Sequence, residues 1–213
     1  MKSNLKNISD QTIKRYSDRY KKTGRSVESL GWGSVEQQEC RFEEVLKCTN
    51  LHNKSILDIG CGFGDFHLFI ESRNVDYKNY IGWDINENMI SEANRNIHPK
   101  ARFKVADLLC EESSIQTDIV IMLGLLNFNL KNEFDNMEYS KKMIKNAFFH
   151  CNERLIVDFL SSNLTMDYPK EDFVFYHNPG EVLNFALSLT KNASLIHNYR
   201  PIPQKEFLLV LEK

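Results

Sequence analysis

The sequence has no long apolar segment and no cysteine pair at metal-binding or disulfide spacing. No apolar run in its 213 residues approaches the ~18 residues that a membrane-spanning helix needs. The five cysteines are scattered, odd in number and never spaced C-x-x-C, which argues against a disulfide framework and a zinc site. The N-terminus also lacks the apolar core of a signal peptide. We therefore expect a cytoplasmic protein with no membrane partner.

The chain also lacks a large excess of charge of either sign. Its formal net charge of -2 argues against a protein whose whole surface binds nucleic acid or anionic membrane. Hydrophobic residues make up 42% and charged residues 26%, which is ordinary for a globular protein. The length suits one domain with a small cap.

A glycine-rich turn between a strand and a helix organises the chain. The apolar run 56–59 is typical of a strand buried on both faces, and Gly60, Gly62 and Gly64 follow it at alternate positions. Apolar residues then recur at roughly helical spacing over residues 63–70. A strand, a glycine turn and a helix N-terminus together predict a nucleotide-type site.

Two further strands each lead to an acidic residue. Residues 80–84 form a short strand that ends in Asp84, 20 residues beyond Gly64. Such a fold needs an acid at this place to accept hydrogen bonds from a ribose diol. Residues 101–106 form a third strand, and Asp107 follows it.

The stretch Leu57-Asp58-Ile59-Gly60-Cys61-Gly62-Phe63-Gly64 resembles the first motif of class I S-adenosylmethionine-dependent methyltransferases, G-x-G-x-G. It differs from the dinucleotide fingerprint G-x-G-x-x-G, because the third glycine comes one residue early, and this disfavours NAD. The resemblance covers about residues 54–213. It implies a Rossmann-like α/β fold, with a seven-stranded, mostly parallel sheet in the order 3-2-1-4-5-7-6 and helices on both faces. It also implies S-adenosyl-L-methionine as cofactor and S-adenosyl-L-homocysteine as product.

The resemblance implies a set of cofactor-binding residues, most of them at the ends of strands. Gly60 and Gly62 would shape the turn, Asp84 would take the ribose hydroxyls, and Asp107 and Leu108 would border the adenine. The full predicted set is Asp58, Gly60, Cys61, Gly62, Gly64, Asp84, Ile85, Asp107, Leu108, Leu123, Tyr20 and Trp32.

Residues 1–50 are predicted to form a helical lid or cap, and residues 51–213 the methyltransferase domain. The first 25 residues carry a net charge of +6, which leaves -8 for the rest. Three interpretations stay open for this helix: a solvated helix that packs Tyr16 and Tyr20 on the core, a lid in which one of them contacts ligand, or a phosphate-binding patch. Trp32, between two glycines, either plugs a groove or covers a ligand. Residues 31–42 resemble the leader of a bacterial group of small methyltransferases.

The C-terminal half is expected to hold the methyl acceptor. In the resembled fold, the end of the fourth strand at residues 124–129 lies beside the transferable methyl. The chain lacks Asn-Pro-Pro-Tyr there, which amino-methyltransferases of nucleic acids carry, and we therefore expect no nucleic-acid partner. The long aromatic connection 161–178 is expected to wall off the substrate. The predicted substrate-binding residues are Asn127, Tyr168, Tyr176, Tyr199 and Arg200.

Methyl transfer needs a general base only when the acceptor is a hydroxyl or an ammonium group. The candidates are His177, Asp158 and Tyr16, with a plain loop histidine and a satisfied structural aspartate as the alternatives for the first two. No metal-ligand spacing is evident, so no metal is predicted. The sequence thus predicts a monomeric or homodimeric enzyme that methylates an oxygen or nitrogen of a small molecule, such as a sugar or secondary metabolite. The alternatives are an RNA or protein methyltransferase, and a non-catalytic S-adenosylmethionine-binding module.

Overall fold

The structure is a computed structural model that describes residues 2–96, 98–111, 113–131, 133–198 and 205–213. Strands and helices alternate along most of the described chain. The helices are α1 (Lys2–Thr23), α2 (Val27–Leu30), α3 (Val35–Cys48), α4 (Asp65–Ser72), α5 (Glu87–Ala93), α6 (Asn136–Phe149) and α7 (Pro179–Leu189). The strands are β1 (Ser55–Ile59), β2 (Asn79–Asp84), β3 (Ala101–Val105), β4 (Thr117–Met122), β5 (Cys151–Leu160), β6 (Asn192–Ile196) and β7 (Glu206–Glu212).

The seven strands form one sheet in the order β3-β2-β1-β4-β5-β7-β6. β2 pairs in parallel with β1 and with β3, and β4 pairs in parallel with β5. β7 is antiparallel to both β5 and β6, so the sheet ends in a reversed hairpin. Parallel neighbours require crossover connections, which the helices between the strands supply. The fold predicted from the glycine motif is confirmed.

The chain divides into two compact units, residues 1–113 and residues 114–213. The first unit holds α1 to α5 with β1 to β3, and the second holds β4 to β7 with α6 and α7. The division into a lid at 1–50 and a domain at 51–213 stays a prediction. No helix among the described residues is both long and apolar enough to cross a bilayer.

Short polar side chains begin five of the described helices, among them Ser26 at the start of α2. Ser34 Oγ accepts the N–H of residue 37 at 3.2 Å, and Asn86 Oδ1 accepts that of residue 88 at 3.0 Å. Asp135 and Asn178 cap α6 and α7 in the same way. Such caps satisfy N–H groups that a helix leaves without an internal partner, which fixes where each helix starts.

The apolar strands supply the core of each unit. Ile56 and Leu57 of β1 are fully buried in the first unit, and residues 155–157 of β5 with residues 207–209 of β7 are fully buried in the second. A strand buried on both faces is apolar at successive positions and shows no alternation, as predicted for β1.

Candidate cofactor site

The glycine turn after β1 has a backbone that only glycine adopts without strain. Gly60, Gly62 and Gly64 have φ angles of 79°, 54° and 76°. These values fall in the left-handed region, where a Cβ atom meets the backbone. The N–H groups of Gly60 and Cys61 both donate to the carbonyl oxygen of Trp83, at 2.7 and 3.0 Å. The turn is therefore tied to the end of β2.

The turn is also crowded by side chains. A Cβ atom on Gly62 would lie 2.9 Å from Leu30 Cδ2, and one on Gly64 would lie 2.8 Å from Phe103 Cε1. Cβ contacts this short are essentially never observed, so a side chain at either position would force Leu30 or Phe103 to shift in addition to straining the backbone.

Asp84, the last residue of β2, is oriented by the turn itself. Its Oδ2 accepts the N–H of Gly62 at 3.0 Å, and its Oδ1 accepts the N–H of Asn86 at 2.8 Å. Burial raises the pKa of Asp84, and these backbone donors act in the opposite direction. The side chain is half-buried. A carboxylate fixed beside a glycine turn at the carboxyl end of a parallel strand fits a ribose diol, as the fold requires.

Asp107 follows β3 at the same edge of the sheet. Its Oδ1 accepts the N–H of Leu109 at 2.9 Å, and its Oδ2 accepts the hydroxyl of Ser9 at 2.6 Å. Leu108 beside it is only 4% exposed. The acid and the apolar residue thus stand together where the resemblance places the adenine.

Helix α1 lies across these strand ends. Besides the bond from Ser9, the Asn86 amide donates to Ile13 O at 3.1 Å and to Ser17 Oγ at 3.0 Å. The Tyr20 hydroxyl donates to Glu92 Oε1 in α5. The helix is therefore held by hydrogen bonds along its length to the residues that follow β2 and β3.

The two tyrosines of α1 occupy different environments. Tyr16 is half-buried, and burial raises its pKa, with a smaller contribution in the same direction from Asp84. Its phenol therefore lies within electrostatic reach of the Asp84 carboxylate. The Tyr20 ring lies 6.0 Å from that of Phe63 in the glycine turn, and its hydroxyl is occupied by Glu92.

Trp32 packs on a cation. The guanidinium carbon of Arg41 lies 4.4 Å from the centroid of the indole ring, within range of a cation–π contact. The backbone N–H of Trp32 donates to Val27 O at 3.0 Å, and the side chain is half-buried. The indole thus packs on Arg41 of α3, and this geometry favours its interpretation as a plug.

Asp58 and Cys61 lie inside the first unit. Asp58 is 4% exposed and accepts the Tyr80 hydroxyl. Burial raises the pKa of Asp58 to about 7, although the tyrosine hydrogen bond lowers it. Cys61 is 7% exposed, and burial raises the pKa of its thiol. These two side chains support the turn from the interior, whereas Ile85 is half-buried beside Asp84.

In the second unit, the predicted acid and base are both buried. Asp158 is 1% exposed and accepts the N–H of Gly124. His177 is fully buried, its Nε2 lies 2.8 Å from Ser140 Oγ, and burial lowers its pKa to about 3. A base must reach the proton that it removes. The geometry therefore favours the structural interpretation of both residues.

The predicted substrate residues of the second unit lie around the 161–178 connection. Asn127 Oδ1 accepts the N–H of Leu160 at 2.8 Å, so this amide orients the end of β5. Tyr168 and Tyr176 are half-buried, and the Tyr176 hydroxyl accepts the N–H of residue 171 at 3.0 Å. Leu123 is 8% exposed at the end of β4. Two further predicted positions lie outside the described residues: Tyr199 and Arg200.

Three residues that take part in this arrangement were not predicted. Ser9 binds Asp107, Asn86 binds α1, and Glu92 binds Tyr20. Glu92 is 6% exposed on a face of α5 that also buries Met89. An acid on an apolar helix face was a signal for a buried partner. No comparable local signal distinguishes Ser9 from other serines.

The family of methyltransferase domains matches residues 56–146. Protein 235L of Invertebrate iridescent virus 6, a methyltransferase by name, is 31% identical over 139 residues, which are 62% of this chain and 51% of that protein. The chain therefore spans about half the length of this curated relative.

Solved structures share the fold at low sequence identity. Magnesium protoporphyrin IX methyltransferase from Synechocystis PCC 6803 with bound SAH has a TM-score of 0.66 at 16% identity, with 99% of each chain covered. The small RNA methyltransferase HEN1 also has a TM-score of 0.66, at 17% identity, covering 83% of this chain and 25% of that chain. Structures of the magnesium protoporphyrin IX enzyme hold either SAH or SAM.

Proposed function

We propose that this chain is a class I S-adenosylmethionine-dependent methyltransferase and that it methylates an oxygen or nitrogen atom of a small molecule. The observation that carries the proposal is the joint placement of the glycine turn and Asp84. The hydrogen bond from Gly62 N–H to Asp84 Oδ2 directly joins the two elements that this fold uses for the nucleoside.

The residues of the first unit would hold the cofactor by distinct means. Gly60 and Gly62 let the backbone approach the ligand, and Asp84 accepts hydrogen bonds from the ribose hydroxyls. Asp107 accepts a donor at the adenine edge, and Leu108 packs on the ring. All five occupy the carboxyl ends of β1, β2 and β3, which are the ligand side of an open α/β sheet.

When bound, the cofactor supplies a methyl group that is already activated. The protein mainly has to align the acceptor atom with that methyl group at near-contact distance, which is a proximity effect. Of the three candidate bases, Tyr16 lies within electrostatic reach of Asp84, whereas Asp158 and His177 are buried in the second unit. Because its pKa is raised, Tyr16 stays protonated at neutral pH. We therefore assign it a hydrogen-bond donor role at the ligand and no proton abstraction.

Two features of the sequence support a small-molecule acceptor. Residues 124–129 lack the Asn-Pro-Pro-Tyr motif that amino-methyltransferases of nucleic acids carry after the fourth strand. The formal net charge of -2 also provides no general attraction for nucleic acid.

An RNA acceptor is the second candidate, and the charge of α1 supports it. The first 25 residues carry a net charge of +6, and the exposed cations of this segment include Lys14, Lys21 and Lys22. Binding of RNA through such a segment would weaken steeply as salt rises. A small, uncharged acceptor would show no such dependence.

The first test is thermal unfolding with S-adenosylmethionine, S-adenosylhomocysteine or NAD, each added alone. A ligand at 100 times its dissociation constant adds about 2.7 kcal/mol, which for a chain of this size raises Tm by roughly 5–10 °C. We expect a shift with both adenosyl compounds and none with NAD. The Asp84→Asn variant should lose most of the shift, and Asp10→Asn, on the exposed side of α1, should keep it.

An acceptor screen with methyl-labelled cofactor then separates the alternatives. Label transfer to a small molecule supports the proposal, and transfer to RNA that falls with rising salt supports the second candidate. Label transfer to protein alone would refute both the small-molecule and the RNA acceptor and identify a protein methyltransferase. Binding without transfer to any acceptor class would identify a non-catalytic module. The absence of a thermal shift in folded, ligand-free protein would refute the cofactor assignment.

A further inference from the structure

We propose that His67, Glu71 and His98 form a binding site for a divalent transition metal ion, with zinc as the best fit. His67 and Glu71 are one turn apart in α4, so they share a face of that helix. His98 comes from the connection that precedes β3. One ligand atom of each residue lies within 4.8 Å of the others.

The distances suit a small cation. His98 Nε2 lies 3.2 Å from Glu71 Oε2, and His67 Nε2 lies 3.9 Å from Glu71 Oε1. Ligands at 2.0–2.2 Å from a tetrahedral zinc ion stand about 3.3–3.5 Å apart. The two histidine–glutamate separations are therefore within about 0.6 Å of that spacing, and the two imidazole nitrogens lie within 4.8 Å of each other.

A fourth donor is already in place. The Tyr77 hydroxyl lies 2.8 Å from His67 Nε2, 3.2 Å from His98 Nδ1 and 2.6 Å from Glu71 Oε1. The hydroxyl donates its one proton to the carboxylate and can accept an N–H from His67 Nε2, and His98 Nδ1 also accepts the N–H of Lys100 at 3.3 Å. A cation held by His67 Nε2, His98 Nε2 and the Glu71 carboxylate would take the place of the protons on those two nitrogens.

The burial of His67 is a second observation. Its side chain is 2% exposed, so its Nε2 is shielded from solvent and faces Tyr77 and Glu71. The other two ligands reach solvent, with side-chain exposures of 29% for His98 and 36% for Glu71. An ion could therefore enter from the solvent side.

The chemistry of the donors selects the metal. Two imidazoles and one carboxylate are ligands of intermediate softness, and zinc binds such sets in proteins. Magnesium and calcium, in contrast, prefer oxygen ligands alone. The nearby Lys100 ammonium is directed to Asp76 Oδ1 at 3.3 Å and to the Tyr77 carbonyl at 2.9 Å. Its charge is thus balanced by a carboxylate outside the set.

The position of the site indicates what a bound ion would do. Tyr77 lies just before β2 and His98 just before β3, whereas Asp84 ends β2 and Asp107 follows β3. A six-residue strand is about 20 Å long, so the ion would lie far from the predicted cofactor. It would join α4 to the segments that start β2 and β3, and would stabilise the first unit without taking part in methyl transfer.

The experiment is a zinc titration of untagged, chelator-treated protein against a competing chromophoric chelator, repeated with cobalt to record its visible spectrum. We expect one ion per chain and a tetrahedral cobalt spectrum. His98→Ala and Glu71→Gln should each weaken zinc binding at least tenfold. His52→Ala is the matched control, because His52 also pairs with a carboxylate, Asp76 at 2.9 Å, but has 73% of its side chain exposed.

Both substituted ligands are partly exposed, and circular dichroism would verify that each variant folds. Zinc should also raise the Tm of the native chain and leave that of His98→Ala unchanged. Wild-type protein that binds no zinc beyond the His98→Ala level, or binding that the Glu71→Gln change leaves intact, would overturn the proposal. The four residues would then be a hydrogen-bonded cluster only. Neither outcome bears on the methyltransferase assignment.

Discussion

The buried Asp58 carboxyl should make the stability of this protein fall as pH rises from 5 to 8. Burial raises the pKa of Asp58 from 3.8 to about 7, so the folded chain keeps a proton that the unfolded chain has already released. The folded state then binds more protons throughout that interval, and the free energy of unfolding decreases with pH. The protonated Asp58 therefore contributes most to the free energy of unfolding below pH 3.8, and this contribution is lost as pH rises to and through 7.

The size of the effect follows from the two pKa values. Ionising this group in the folded state costs about 4 kcal/mol in total, and about 2–3 kcal/mol of that falls between pH 5 and 8. Asp58→Asn removes the titration but keeps an oxygen that accepts the Tyr80 hydroxyl. The variant should therefore lose this part of the pH dependence and gain stability relative to wild type at pH 8.

The assay is chemical denaturation of the ligand-free protein at pH 5, 6, 7 and 8. The difference in unfolding free energy between wild type and Asp58→Asn should change by about 2–3 kcal/mol across this range, equivalent to roughly 5–10 °C in Tm. For the control Asp10→Asn, at an exposed position, the unfolding free energy should change with pH in the same way as for wild type.

A second variant tests the cause. The Tyr80 hydroxyl lowers the pKa of Asp58, so Tyr80→Phe should move the midpoint of the pH dependence above 7. A constant difference between wild type and Asp58→Asn across the pH range would refute the reasoning. It would mean that the carboxyl is ionised or protonated alike in both states.

Three further outcomes are expected. Gly62→Ala should weaken cofactor binding and destabilise the fold by more than Gly24→Ala. Both glycines have positive φ, but of the two only Gly62 would place a Cβ atom against a neighbour, Leu30 at 2.9 Å. Equal losses of stability in denaturation and of affinity in calorimetry would contradict the crowding argument. Ser9→Ala removes the hydrogen bond between α1 and Asp107 and should cost about 1 kcal/mol of unfolding free energy. If α1 covers the site, the change should also speed cofactor release in stopped-flow binding. An unchanged release rate would argue against a lid. His177→Gln should lower Tm while kcat keeps its pH profile, whereas a shifted profile would restore the histidine as a base.

The parts of the site that could be predicted from sequence are local. The glycine turn and the acid that ends β2 were found because strand, turn and helix follow each other directly, and the backbone conformation at Gly60 and Gly62 depends on the residue itself. The sheet order came from the resemblance, and the structure confirms it. The sequence predicts no metal site, and the cluster of His67, Glu71 and His98 has only two members on one helix, so the chain brings the third to them from a distant segment.

The remaining features depend on which distant residues the fold brings together. Asp58 and Tyr80 meet because β1 and β2 pair in parallel, and Ser9 reaches Asp107 across 98 residues of sequence. The burial that shifts the pKa of Asp58, and the burial that argues against His177 as a base, likewise exist only in the packed chain. Periodicity and motif spacing determine the conformation of each segment and the edge of the sheet where ligands bind. Desolvation and long-range hydrogen bonds act between segments, so only the tertiary structure decides which polar side chains face the ligand and which stabilise the interior.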